Sequence, residues 1–269
     1  MIDYREISRK LRYEMIRIAH ETDAMHIGSC LSCLDIIISM YYSFLHIDPE
    51  KPDTEDRDRF ILSKGHASLS LYTVLAERAF FSKNLLSTFN KSGSLLTEHP
   101  VRGNIPGIEV SSGSLGHGLG IGLGIAKASI LNKDNYRVVV LMSDGECNEG
   151  SVWEAFLLAP RHVGGNLITI IDANGWQATD RTDQIMELNP LPEKLATFGW
   201  CVYEVDGHDI PALISLYKCL PVQGMKPIAI IAHTVKGKGI SFMEDDNNWH
   251  YRVPSVDDIT TAGLELGIS

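Results

Sequence analysis

Asp144 and Asn174 stand thirty positions apart, each just past an apolar run: Val138 to Met142 before Ser143-Asp144-Gly145, and Leu167 to Ile171 before Asp172-Ala173-Asn174-Gly175. Asp-Gly and Asn-Gly taken singly are ordinary turn formers. A carboxylate and a carboxamide that both cap buried strands suit a hard divalent cation that itself holds a diphosphate. Mg²⁺ takes oxygen ligands in near-octahedral geometry and usually only one or two carboxylates, with phosphate oxygens and water completing the set.

Seven histidines are candidates for proton transfer or polar recognition: His26, His66, His99, His117, His208, His233 and His250. Several lie in loops beside glycine or proline, as in Lys64-Gly65-His66, Glu98-His99-Pro100 and Gly116-His117-Gly118. Loops carry function more often than the elements they join, and imidazole binds phosphate or hydroxyl groups and moves protons near neutral pH. The ordinary alternative for each is a structural or solvated histidine.

The elements that position these groups alternate. Ile7, Leu11, Met15 and Ile18 recur at helical spacing within residues 4–21. Residues 35–45 read as a buried helix, 46–60 as a loop containing Pro49 and Pro52, and a further helix runs from after His66 to Ala79. Strands are predicted at 137–142, 167–171, 200–205 and 227–232, with helices at 151–158, 192–198 and 210–218. Near-continuous apolar strands alternating with helices predict an α/β fold, a parallel sheet flanked by helices on both faces. Ligands of such sheets bind beyond the carboxyl ends of the strands, where both motifs and His233-Thr234-Val235-Lys236 fall. The glycine-rich run from Gly113 to Gly124 implies close backbone approach to a ligand or to another helix, since glycine inside a helix costs up to about 1 kcal/mol against alanine.

Composition narrows the class. The 269 residues are 44% hydrophobic and 22% charged, as in a globular protein with a substantial core, here read as one domain over 1–269. A formal net charge of -10 argues against nucleic acid, whose phosphates demand basic surface. No apolar run reaches the ~18 residues that span a bilayer, and the acidic, polar start lacks a signal-peptide profile, so a cytoplasmic location without membrane partners is expected. The five cysteines are scattered and fit reduced thiols; Cys30-Leu31-Ser32-Cys33 has no second pair and reads as core packing.

The segment Ile61-Leu62-Ser63-Lys64-Gly65-His66-Ala67 resembles the Leu-Ser-Lys-Gly-His-Ala block of transketolases. Glu98-His99-Pro100 and Pro106 to Gly116 resemble their His-Pro and Pro-Gly-Val-Glu…Thr-Gly-Ser-Leu-Gly runs. Gly145 to Glu154, Val235 to Ile240 and Asn248-Trp249-His250 match later blocks in the same order. Ser143-Asp144-Gly145 with Asn174 resembles the thiamine diphosphate (ThDP) fingerprint, Gly-Asp-Gly followed by Asn.

The resemblance implies ThDP and Mg²⁺ (or Ca²⁺ or Mn²⁺) as cofactors. Asp144, the Asn174 side chain and the Trp176 carbonyl would ligate the metal. Gly145, His66 and His250 would contact the diphosphate, with Lys236 beside it, and Gly113 and Leu115 would approach the aminopyrimidine. His26 and His99 would face a sugar substrate, bind its hydroxyls and assist proton transfers. His250 would share in catalysis, and Glu149 would lie at a subunit interface and join a proton relay between paired active sites. The pyrimidine-binding and C-terminal domains of a full transketolase have no counterpart here, so the resemblance implies the N-terminal subunit of a split enzyme. That subunit would be active only with a partner carrying those domains, in a heterotetramer of two plus two.

The implied reaction moves a two-carbon ketol unit from a ketose, or ketose phosphate, to an aldose. A specialised relative would pass the unit to a lipoyl carrier protein or an unusual sugar. A 2-oxo acid dehydrogenase subunit shares the metal motif but not the histidine blocks, and a non-catalytic cofactor-binding scaffold is the reading of a different class. Four positions depart from the family pattern: Ser143 for glycine, Met25 before His26, His117 for glutamine, and Thr179-Asp180-Arg181 for a glycine-containing turn.

Overall fold

The structure, a computed structural model, describes residues 2–268. Its helices are α1 (Tyr4–Glu21), α2 (Ile27–Ser43), α3 (Ser68–Glu77), α4 (Gly118–Asn132), α5 (Gly150–His162), α6 (Thr182–Ile185), α7 (Leu191–Phe198), α8 (Ile210–Cys219) and α9 (Val256–Leu266). Its strands are β1 (Arg59–Leu62), β2 (Val138–Ser143), β3 (Leu167–Ala173), β4 (Cys201–Asp206) and β5 (Ile228–His233). They form one parallel five-stranded sheet in the order β1-β2-β3-β5-β4.

Alternate residues of the central strands feed two cores, as the two-residue strand period demands. Val139, Leu141, Ile168, Ile170, Ile228 and Ile230 meet α1, α2, α3, α8 and α9 on one face. Val138, Val140, Met142, Leu167 and Ile171 meet α4, α5 and α7 on the other. The expected α/β fold with helices on both faces is therefore the observed one. At Gly122 of α4 a Cβ would fall 2.5 Å from Val140 Cγ2, which accounts for one glycine of the run by contact with the sheet. Gly120 and Gly124 face outward with open space beside them.

Several boundaries differ from expectation. Helix α2 begins at Ile27, eight residues before the predicted start at 35. Its first turns contain Gly28, Ser29 and Ser32, weak helix formers that hide the element, and tertiary burial overrides them. The predicted loop 46–60 gives its last two residues to β1. Helix α5 runs on to His162 through Pro160, and β3 runs on through Asp172 to Ala173. The last extension matters most, because it puts a carboxylate inside the sheet.

Candidate active site

The carboxyl ends of β1, β2, β3 and β5 converge on one polar corner. Ser143 is paired in register with Asp172, and Asp172 with Ala232, so the segments that follow these strands emerge side by side. Asp172 is fully buried against fully buried Lys64, and its carboxylate also accepts from Ser32 Oγ at 2.6 Å and from Thr234 Oγ1. Burial alone would raise the Asp172 carboxyl, but the Lys64 ammonium outweighs it and holds the group below its ordinary range. Ser32 Oγ in turn accepts from Asn174 Nδ2 at 3.1 Å. The ion pair is thus the floor on which Asn174 is oriented.

Asp144 lies one residue beyond β2 and is 6% exposed. Its carboxylate accepts from Gly145 N (2.9 Å), Gly175 N (2.9 Å) and Thr182 Oγ1 (3.0 Å). Among the described residues no basic side chain forms an ion pair with it. Burial, with the Asp172 charge nearby, pushes its carboxyl up to about 6. Asn174 Oδ1 accepts from Trp176 N at 3.0 Å, fixing the turn that carries the Trp176 carbonyl. A buried carboxylate without a counter-charge, beside an oriented carboxamide, fits a divalent cation. No three His, Cys, Asp or Glu side chains gather for a metal among the described residues, so such a cation would draw on carboxamide, carbonyl and ligand oxygens.

The opposite wall is basic. His26, at the left-handed entry to α2 (φ 66°), packs edge-on against His250 at 4.8 Å between ring centroids. His66 lies 5.5 Å and His99 6.4 Å from the same His26 ring. Lys236 Nζ is 3.1 Å from His250 Nδ1 and donates to Asn247 Oδ1 at 2.6 Å. Burial, then the neighbouring Lys64 charge, lowers Lys236 to about 8. Burial, then Lys236 and His26, lowers His250 to about 3, and burial with Lys64 holds His66 well below its usual value. Burial disfavours the charged forms of these bases, and the nearby lysine ammonium groups disfavour them further, so the pocket gains from an anion. His26 Nδ1 contacts Glu98 Oε1 at 3.0 Å. Burial lowers its pKa despite Glu98, so the neutral ring donates from Nδ1 to the carboxylate and leaves Nε2 as an acceptor.

The glycine-rich loop closes the corner. Gly113 has φ 142°, and a Cβ there would fall 2.8 Å from the His99 ring, so only glycine leaves both in place. Leu115 is half-buried in the same loop. Glu146, fully buried, accepts from Gly116 N at 2.8 Å and from Ser63 Oγ, tying the loop to β1. Glu149 is exposed at the start of α5, and a Cβ on Gly116 would sit 2.6 Å from its own Cβ.

The predicted residues His26, His66, His99, His250, Lys236, Asp144, Gly145 and Asn174 surround this corner, whereas three candidate histidines do not. His117 is exposed and contacts its own loop through Leu115 O, His233 pairs with Glu204 at the surface, and His208 pairs with Asp35. Ser143 supplies the hydroxyl that accepts from Glu146 N at 3.2 Å, and Met25 lies exposed beside His26. Arg181, from the departing turn, makes a two-pronged contact with Asp245 at 2.7 and 2.6 Å and stacks on Trp176. Cys30 and Cys33 are buried free thiols pushed up to about 12 and 11 by burial, as core packing requires. Sequence reasoning gave no role to Asp172 or Lys64. The available signal was a charged residue at the end of an apolar run, Asp172 inside the end of β3 and Lys64 two residues beyond β1.

Residues 4–269 match the family described as transketolase, thiamine diphosphate binding domain. The chain is 38% identical over 259 residues to one subunit of the apulose-4-phosphate transketolase of Phocaeicola vulgatus, covering 96% of this chain and 92% of that one. It is 36% identical over 219 residues to the SqwG subunit of 6-deoxy-6-sulfo-D-fructose transketolase from Clostridium sp., covering 81% and 80%. Transketolase from Leishmania mexicana superposes with a TM-score of 0.90 at 25% identity over 100% of this chain but 42% of its own. That of Campylobacter jejuni gives 0.90 at 25% identity, again over 100% of this chain and 43% of its own. The chain therefore spans less than half the length of these solved transketolases, and it belongs to the transketolase thiamine diphosphate-binding domain family.

Proposed function

We propose that this chain is the cofactor-binding subunit of a two-component transketolase and that residues 1–269 form its one domain. The observation that carries the reading is the uncompensated buried Asp144 together with a cluster of bases, His66, Lys236 and His250, whose charged forms burial disfavours. Asp144, Asn174 and the Trp176 carbonyl hold Mg²⁺, for which Ca²⁺ or Mn²⁺ substitutes. Gly145, His66, His250 and Lys236 hold the diphosphate, and Gly113 and Leu115 line the aminopyrimidine side. When bound, ThDP supplies the electron sink that lets a ketose carbon–carbon bond break and a two-carbon unit move to an aldehyde.

The chain's own residues then bind and move protons. His26 Nε2, left basic by the Glu98 contact, takes a proton from a substrate hydroxyl, and His99 and His250 hydrogen-bond the sugar. Glu149, exposed beside the glycine loop, faces a second polypeptide carrying the pyrimidine-binding and C-terminal domains, in an assembly of two plus two. Two relatives are named as subunits of transketolases for apulose 4-phosphate and 6-deoxy-6-sulfo-D-fructose, which favours a dedicated sugar substrate, phosphorylated or otherwise acidic. No helix among the described residues is long and apolar enough to cross a membrane, and buried free thiols suit the cytoplasm.

The test is calorimetric titration of ThDP into the purified chain with Mg²⁺ and with EDTA. Saturable, metal-dependent binding that inorganic pyrophosphate competes away is expected. Absence of binding, or binding indifferent to metal, overturns the assignment.

A further inference from the structure

We propose that His208 is a positioning residue for the loop that carries Lys236, an inference that rests on the diphosphate reading above. His208 lies in the turn between β4 and α8. Its Nδ1 is 3.0 Å from Asp35 Oδ2, and its Nε2 accepts from the Val235 N–H at 2.8 Å. A ring nitrogen that accepts an N–H bears no proton, so in the neutral ring Nδ1 bears it and donates to Asp35. Burial by itself would raise the Asp35 carboxyl, but Arg12, then His208 and Ser8, outweigh it and keep the group ionised. A permanent anion on one side of the ring therefore locks the tautomer that the other side needs, as carboxylates do behind metal-bound histidines.

Val235 directly precedes Lys236, whose Nζ is 3.1 Å from His250. The same network grips the far end of the turn. Arg12 Nη2 donates to Asp35 at 2.6 Å, and Arg12 Nε donates to the Lys238 carbonyl at 2.8 Å. On the inner side Gly237 N donates to Gly28 O at 3.0 Å. Three buried or nearly buried side chains, from α1, α2 and the β4–α8 turn, thus hold both ends of residues 235–238. None of the three has a place in the cofactor or sugar site. Their purpose is to fix the one loop that brings an ammonium against His250.

Asparagine and glutamine separate the two halves of the role. His208→Asn keeps a donor where Nδ1 stands but has no acceptor for Val235, and His208→Gln keeps an acceptor where Nε2 stands. Calorimetry with ThDP and Mg²⁺, repeated with inorganic pyrophosphate, should show about tenfold weaker binding for His208→Asn, the effect of one lost hydrogen bond. His208→Gln should stay within about threefold of the parent. Equal losses in both variants, or parent affinity in His208→Asn, would overturn the proposal.

Nitrogen NMR and amide exchange on the parent chain decide the point without ligand or variant. The Nδ1–H tautomer with a slowly exchanging Val235 amide is expected, and an Nε2–H tautomer or a freely exchanging amide refutes it. If the parent binds neither probe, the diphosphate reading fails, while the NMR result still judges the tautomer lock.

Discussion

Replacing Lys64 with methionine leaves the Asp172 carboxylate fully buried, with no cation in contact among the described residues. Two hydroxyls, Ser32 Oγ and Thr234 Oγ1, still donate to it, so the charge is solvated but uncompensated. Breaking one side of a buried pair costs about 3–5 kcal/mol, and these hydroxyls favour the low end, about 3. At roughly 2–4 °C per kcal/mol for a chain of this size, the melting temperature should fall by about 6–12 °C. The deficit should shrink as pH falls from about 7.5 towards 4, because the orphaned carboxyl takes a proton more readily folded than unfolded. Urea unfolding of Lys64→Met, Asp172→Asn and the double variant closes the cycle. The double variant should recover at least half of the single loss, since no charge is left stranded. A Lys64→Met loss below about 1 kcal/mol, or a double variant no better than the single, would refute the buried pair as the floor of the site.

Asp144→Asn should stabilise the metal-free chain at about pH 7.5 by ~1–3 kcal/mol, because the raised carboxyl penalises folding as pH climbs from 3.8 through about 6; urea unfolding in EDTA measures it, and the same variant should lose metal-dependent ThDP binding in calorimetry. Gly113→Ala meets both a φ of 142° and the His99 ring at 2.8 Å, so ThDP affinity should drop at least tenfold by calorimetry while circular dichroism stays native. Glu98→Gln removes the charge that orients His26, so in the reconstituted enzyme kcat should fall by about 10²-fold with ThDP affinity unchanged. Arg181→Ala breaks an exposed contact to Asp245, and its unfolding free energy should change by less than ~1 kcal/mol.

The strand-end placement of Asp144 and Asn174 was legible because it is local. Two apolar runs each stop at an acidic or amide residue, and the structure sets those stops side by side. In local context His66 and His250 do not differ from His117 and His233; only the family-like blocks single out the first two, and the structure places those two together and the other two elsewhere. That distinction depends on which loops follow adjacent strands. Strand order was illegible for the same reason, since parallel pairing joins segments with no short-range signature. The Lys64–Asp172 pair, 108 positions apart, depends on that order. Helix α9, with its Ser255 and Asp258 capping box, carries a local signal that lies beyond the last predicted strand at 227–232.

On the function proposed above, this chain holds half of a catalytic centre. Ketol transfer from a ketose phosphate to an aldose phosphate, with ThDP and Mg²⁺, should be measured while the companion polypeptide is titrated into a fixed amount of this chain. No turnover is expected at zero companion, followed by a linear rise to a plateau at one companion per chain. Turnover by this chain alone would contradict the split active site.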